Sequence, residues 1–456
     1  MKIAYSDLKS FLVDDPTIES ISDTLFQLGH ENHILNDNII DVEFTPNRGD
    51  CLSLNGLARD LNFFFKKADN KETYSSEIDN LKINFINKAQ NHCPSISFMK
   101  LEVSELPLQY KGYLENYFKY FDIKKNNFFT DISNYIAYEL GQPTHCYDME
   151  KIKGDIVLES INQSKVFKAV TGKEINLVDN NLVFTHNGDV INLAGVMGEE
   201  RASCSKDTKK VLIECAYFLP ESIIGTALKY DLHSEAAYKF ERGVDPLHQE
   251  VILRRFISIV LDHIPIQKIS MTKFNRELNQ PKLIYTSANE ISSILGNDIS
   301  DNDFTRILSS LGFIIENNKI KVPSYRNDVN NQNDIAEEVA RILGYDNIIP
   351  SKLSILKKVD SEITIEDKLR NFLMHNGFNE VINQSFSYDT SKIVLDNPID
   401  SNRPYIRKCL KNSLLDNLIY NERRQKDIIK LFEISDIYDV NNEYSNCKKV
   451  CIVLSG

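Results

Sequence analysis

Phe44-Thr45-Pro46-Asn47-Arg48-Gly49-Asp50-Cys51-Leu52-Ser53 is the stretch on which the fold of this chain turns. Pro46 and Gly49 supply the fixed and the free backbone angles of a tight turn. Either Asp50 or Ser53 can cap a following helix, which Leu54, Leu57, Ala58 and Leu61 mark by their spacing. Arg48 and Asp50 read as the polar pair that fixes the turn. Upstream, Leu8, Phe11 and Leu12 predict a helix over 5–13, and Ile18, Ile21, Leu25 and Leu28 another over 17–29 that Gly29 stops. Ile34 to Phe44 is strand-like. Residues 1–80 therefore read as a mixed N-terminal domain, with the polar stretch 67–79 as a linker.

Downstream, residues 81–265 alternate strand-like and helical segments. Thr171-Gly172-Lys173 and Asn187-Gly188-Asp189 are turn signals inside a mostly β run, Ile156–Val190. Residues 245–263 read as an amphipathic helix. In 281–350, helices over 290–295, 302–311 and 334–343 accompany a strand at Lys319–Val322, a winged-helix-like pattern. The last segment, 355–456, opens with a helix over 364–377 and strand-like Val381–Phe386. It closes on the apolar run Val450–Leu454, a strand with no partner after it and hence a domain expected to be cut short. The fold class is α+β and multidomain.

The 456 residues are 42% hydrophobic and 26% charged, enough for ordinary cores. A formal net charge of -12 argues against gripping nucleic acid over the whole surface, while leaving room for local basic patches. Lys2, Asp7 and Lys9 interrupt the start, so no signal peptide is read there. No apolar run approaches the roughly 18 residues of a membrane span. The eight cysteines are scattered, and Cys447 and Cys451 have no further ligands nearby for zinc. A reducing cytoplasm with free thiols is expected. None of the 17 glycines pairs with another at a one-residue gap, so G-x-G-x-x-G is absent, as is a P-loop.

Two sets of residues invite chemistry. Asp334 opens a helix, with Glu337 and Glu338 one turn later and Asp328 just upstream. Carboxylates at a helix start stabilise its macrodipole; hard oxygen ligands also suit Mg²⁺. His145, Glu214, Ser234 and Ala236 lie too far apart for spacing to say anything. Lys408, Lys411, Arg423 and Arg424 read equally as a solvated helix face or a surface toward nucleic acid. Phe240-Glu241-Arg242-Gly243 reads as domain-building, with Arg242 in an ion pair.

Six motifs in consistent order resemble the phenylalanyl-tRNA synthetase beta-subunit family of bacteria. They are Phe44–Ser53, Asp131-Ile132-Ser133-Asn134-Tyr135, Glu139-Leu140-Gly141-Gln142-Pro143-Thr144-His145, Leu193-Ala194-Gly195-Val196-Met197-Gly198, Phe240-Glu241-Arg242-Gly243-Val244-Asp245, and Val322-Pro323-Ser324 through Gly344-Tyr345-Asp346. The resemblance covers essentially the whole chain. It implies a B1-like N-terminal domain, a B3/B4-type editing domain, a winged-helix-like B5 domain and part of a catalytically inert class II synthetase-like domain. It also implies an alpha-subunit partner in an (αβ)₂ heterotetramer that charges tRNA(Phe), with ATP and phenylalanine bound by alpha. The missing glycine-rich ATP motif fits that division.

By the same resemblance, Asp328, Asp334, Glu337 and Glu338 match family residues that bind Mg²⁺ near the alpha contact. His145, Glu214, Ser234 and Ala236 match a pocket that hydrolyses tyrosine wrongly attached to tRNA(Phe). A site shaped for phenylalanine rejects an added hydroxyl only about a hundredfold, so a second site that reads the phenol is needed. Glu214 is the expected reader, His145 and Ser234 position ester or water, and Ala236 leaves room. The sequence departs from the family in several places. Only His30 to Val42 fills the place of an OB-fold domain, and the family's chain continues past Gly456 to an anticodon-binding domain. Ser95 and Lys124 stand where Arg is usual, and Ser234 where Thr is usual. A shortened paralogue acting as a binding module, or a free-standing editing hydrolase, are the rival readings; co-purification with an alpha subunit separates them.

Overall fold

In the computed structural model the Thr45–Ser53 turn packs backbone against backbone. A Cβ at Gly49 would lie 2.4 Å from the Arg242 carbonyl oxygen, so glycine alone lets the two motifs touch. Ser53 caps the helix Leu54–Asp60 by accepting the Gly56 N–H. Asp50 instead takes the Arg48 guanidinium at 2.9 Å. Residues 1–275, 281–350, 363–440 and 444–456 are described. They fall into two compact units, Met1–Ser351 and Lys352–Gly456. The expected domain start at 355 lies outside the described residues.

The first unit begins with a three-stranded antiparallel sheet, Lys2–Ala4, Ile39–Glu43 and Glu31–Asn36 in spatial order. The single strand expected over 34–44 is thus interrupted by a hairpin turn: residues 34–36 end the strand Glu31–Asn36, and Ile39–Glu43 form the next. Asp37 and Asn38 turn it, with the Asn38 N–H donating to Asn36 Oδ1. Helix Ile18–Gln27 buries Ile18, Ile21 and Leu25, as its spacing predicts, and Thr17 caps it. The first helix is shorter than expected, Tyr5–Lys9.

Two five-stranded sheets follow. One orders Asp79–Asn80, Ile266–Asn275, Ser95–Val103, Lys210–Tyr217 and His145–Asp148. The other orders Met197–Gly198, Asp189–Leu193, Asn181–His186, Ile156–Ile161 and Phe85–Asn87. Asn187 and Gly188 both have positive φ, 51° and 86°, as a two-residue hairpin turn requires. Residues from both sheets share one apolar cluster. A second cluster runs from the N-terminal helices through Phe128–Leu140 and Gln249–His263 into 281–350. Each fully buried aliphatic side chain in it contributes about 1.5–3 kcal/mol.

Residues 281–350 form helices Ala288–Leu295, Asp301–Ser310 and Gln332–Leu343 beside a sheet ordered Leu283–Tyr285, Lys319–Lys321, Ile314–Glu316. A buried ionic network ties this module to the N-terminal domain. Asp60 receives Arg48 at 2.7 Å, Arg341 at 2.9 Å and His30 at 2.8 Å. Burial opposes its ionisation, but Arg341 and Arg48 hold the Asp60 carboxyl well below the usual range. Arg242, expected in an ion pair, stacks on Tyr238 at 3.7 Å and donates to the Tyr238 carbonyl; no carboxylate pairs with it among the described residues.

The second unit centres on a sheet ordered Asn379–Glu380, Ile429–Val440, Tyr444–Ser455, with helices Ile365–His375 and Lys411–Glu422. The final strand is therefore not unpartnered, because it pairs antiparallel with Ile429–Val440 along its length. The strand expected over Val381–Phe386 is absent at 381–385; only the two-residue strands Asn379–Glu380 and Phe386–Ser387 flank it. Arg407 and Glu433 make a buried pair at 2.7 Å in this unit. Lys408, Lys411, Arg423 and Arg424 are exposed, and Arg424 stacks on Tyr420.

Candidate functional site

Strands set the first two residues of the site side by side. His145 opens a strand that pairs antiparallel with Lys210–Tyr217, and the register puts Glu214 directly opposite it. Ser234 and Ala236 come from a different element, the start of helix Glu235–Arg242. All four line one pocket of about 510 Å³, together with Asn192, Val196 and Gly198. The sequence alone held these residues apart by as many as 91 positions (145 to 236); the sheet and the helix cap close that distance.

Glu214 is 4% exposed and lies at the pocket floor. Tyr147 donates its hydroxyl to Glu214 Oε2 at 3.0 Å, and Asn192 Nδ2 lies 2.9 Å from that hydroxyl and 3.4 Å from Oε2. Burial, working against the hydrogen bonds from Tyr147 and Asn192, pushes the Glu214 carboxyl up to about 8. At neutral pH it is mostly a neutral acid, able both to donate and to accept. Both of its side-chain hydrogen bonds use Oε2, so Oε1 is left for a ligand. Sequence reasoning missed Tyr147 and Asn192. Tyr147 had one available signal, since it sits two residues after His145 and so faces the same side of the strand.

His145 stacks edge-on with Tyr147, ring centroids 4.4 Å apart. Burial pulls its imidazole down to about 4, so the ring is neutral. Nε2 is buried and has no hydrogen-bond partner among the described residues. A Cβ at position 198 would come within 2.3 Å of its Cε1, so Gly198 makes the space the ring occupies. A neutral imidazole of such low basicity is suited to hold a substrate group or a water, and poorly suited to take its proton. Ser234 is less available than expected. Its hydroxyl donates to the Val196 carbonyl at 2.5 Å and accepts the Ala237 N–H at 3.1 Å, so it caps the helix and fastens the pocket wall. Ala236, half-buried on the first turn, presents only a methyl group to the cavity.

Glu214 makes the stability of this domain depend on pH. Its carboxyl ordinarily titrates near 4.5, so its higher native value favours the folded state below pH 4.5. That contribution is lost as pH rises through about 8. Glu214→Gln cannot ionise. Between pH 5 and 9 the variant is expected to gain on the unmodified chain by up to about 4 kcal/mol. Urea midpoints at several pH values measure this, and parallel pH profiles for the two proteins would refute it.

The four carboxylates of the second set are not gathered. Arg326 binds both oxygens of Asp328, and Arg326 and Arg341 bind both oxygens of Glu338. Burial alone would raise the Glu338 carboxyl, but Arg341 and Arg326 hold it well down. Asp334 Oδ2 accepts the N–H groups of Asn330 and Asn331 in a capping box. Glu337 is exposed. The donor set as placed does not fit a divalent cation, because three of its members are already satisfied by guanidinium or backbone donors. Among the described residues, the only trio with metal-like spacing is His30, Cys51 and Asp60. Arg48 lies 2.8 Å from the Cys51 sulfur and bonds Asp60, so cations already fill that position.

Comparison with known proteins extends the reading beyond the pocket. Residues 112–265 match the B3/4 domain family, residues 284–345 the tRNA synthetase B5 domain, and residues 347–456 the phenylalanyl tRNA synthetase beta chain CLM domain. The chain is 28% identical over 458 residues to the phenylalanine–tRNA ligase beta subunit of Vibrio parahaemolyticus, covering 95% of this chain and 57% of that one. It is 31% identical over 422 residues to the beta subunit of Pseudoalteromonas translucida, covering 88% and 53%. The chain thus spans a little over half the length of the curated relatives it matches. No helix among the described residues is long and apolar enough to cross a membrane.

Proposed function

Because the chain belongs to the phenylalanyl-tRNA synthetase beta-chain family, we propose that it serves a catalytic alpha subunit in an (αβ)₂ assembly. That assembly joins phenylalanine to tRNA(Phe) at the expense of ATP. The chain's own chemistry is hydrolysis of tyrosyl-tRNA(Phe) in the pocket around Glu214. The ATP chemistry of that assembly uses Mg²⁺.

One observation supports the editing role above the others. A buried carboxyl, kept neutral by its surroundings, holds one oxygen on Tyr147 and Asn192 and leaves the other to the cavity. A tyrosyl side chain entering ring-first brings a hydroxyl to that oxygen. A phenylalanyl side chain desolvates the same oxygen and offers nothing, at a cost of about 1–3 kcal/mol. The ester end then lies toward the helix start at Ser234 and Ala236. His145 Nε2 is there to hold the carbonyl or the attacking water.

The test is deacylation of preformed tyrosyl-tRNA(Phe) and phenylalanyl-tRNA(Phe) by the chain assembled with an alpha subunit. Glu214→Ala should reduce the preference for tyrosine by roughly 5- to 150-fold. It should slow the phenylalanyl ester far less. Equal loss on both esters would mean that Glu214 only supports the fold, and an unchanged preference would put tyrosine selection elsewhere.

A further inference from the structure

We propose that a second pocket, walled by Arg59, Lys67 and Lys71, binds a small multivalent phosphate anion of the pyrophosphate or nucleotide class. The cavity measures about 370 Å³ and is bounded by the N-terminal domain, helix Gln249–His263 and residues 309–312 and 325 of the winged-helix-like module. It shares no residue with the Glu214 pocket. Its volume falls at the low end of small-ligand sites, which run from about 300 Å³ upward.

The lining is cationic although the chain carries a net charge of -12. No Asp or Glu lines it, while two arginines and two lysines do. Arg255 is spoken for, since its guanidinium is bonded to both oxygens of Glu139 behind the wall. The other three cations make no ion pair among the described residues. Lys67 reaches the Ala68 carbonyl and the Asn70 side chain, and Lys71 reaches the oxygens of Ser10 and lies over the Phe11 ring at 4.7 Å. The nearest carboxylates, Asp69 for Lys67 and Glu139 and Asp7 for Lys71, act on them at longer range.

Arg59 supplies the second, independent observation. Its guanidinium is stacked on the Tyr325 ring at 3.7 Å, and one amino group donates to the Asp50 carbonyl. Its Nε is buried with no hydrogen-bond partner among the described residues. A buried, unpaired guanidinium donor is costly unless an acceptor completes it. The planar fork fits phosphate oxygens, and two ammonium groups add point charge. Partial burial and Arg59 hold the Lys67 ammonium below its usual range, and partial burial holds Lys71 below it too. A ligand of charge two or more offsets three unpaired cations. All three line one pocket of about 370 Å³, a size that favours a compact anion over a polymer backbone.

Inorganic pyrophosphate is the probe, titrated calorimetrically into the full chain with thermal melting as a second readout. Saturable binding with a shift to higher melting temperature is expected, weakening steeply with salt. Lys67→Gln and Lys71→Gln should each weaken it by tenfold or more. Arg59→Lys, which keeps the charge and loses the fork, should also weaken it. Both lysines are half-buried at the cavity rim, and melting of the ligand-free variants checks that they fold. No binding at millimolar pyrophosphate overturns the proposal, as does binding that the folded lysine variants leave unchanged. If tRNA binding falls in the lysine variants while pyrophosphate does not bind, the site is a backbone-phosphate contact and the proposal is likewise wrong.

Discussion

Asp60→Ala is expected to destabilise the first unit by about 3–5 kcal/mol, the cost of leaving buried ionic partners unpaired. Asp60 is 2% exposed and accepts from Arg48, Arg341 and His30 together. Removing it leaves two guanidinium groups facing each other inside the protein, with only Asp50 and Glu338 to share. Asp60→Ala combined with Arg341→Met should cost less than the two single changes added together, since one orphaned charge goes with its partner. The effect also has a pH signature. A carboxyl held below its ordinary value of 3.8 stabilises the fold above that pH, and the contribution is lost as pH falls through the native value. The gap between Asp60→Ala and the unmodified chain should therefore narrow in strong acid. Urea unfolding of the first unit measures both quantities, and a loss under about 1 kcal/mol at neutral pH would show that the network is not what joins the domains.

The second large effect is on chemistry. Ala236→Trp is expected to cut tyrosyl-tRNA(Phe) hydrolysis on the order of a hundredfold, because overpacking costs about 1–3 kcal/mol where a substrate must fit. Phenylalanine charging by the assembled enzyme should be unchanged. Ala236 is half-buried on the first turn of helix Glu235–Arg242, so the larger side chain extends into the cavity without displacing the core residues Ala237 and Phe240. Wild-type rates of tyrosine removal in a variant shown to be folded would place the editing site elsewhere.

How much of this was legible in the sequence depends on the range of the interaction. Ser53 as a cap, Thr17 as a cap and the Asn187-Gly188 hairpin are local, and the residues announce them. The hairpin at Asp37-Asn38 was also announced, by three polar residues inside an apolar stretch, but the run from Ile34 to Phe44 masked it. Asp334, Glu337 and Glu338 showed their helical spacing, but it was the resemblance that marked them, with Asp328 upstream, as cation ligands. Arg326 was in view just upstream, but its side chain's choice of partners was not. The four residues of the Glu214 pocket carried no signal of their own. The resemblance grouped them, and the pairing of Glu214 with His145 supplies the physical reason. Tyr147 and Asn192 turn a lone carboxyl into a selective one, and no motif named them.

The ties between Asp60 and Arg341 span 281 residues of sequence. A ribosome extends a chain at about 5–20 residues per second, so roughly 15 to 60 seconds separate the synthesis of the two partners. Through that interval the N-terminal segment carries Asp60 paired with Arg48 but without Arg341, and its helix Ile18–Gln27 without the helix end that Gln27 later meets at Ile342. Asp60 therefore gains this buried partner, Arg341, only once the winged-helix-like module has been made.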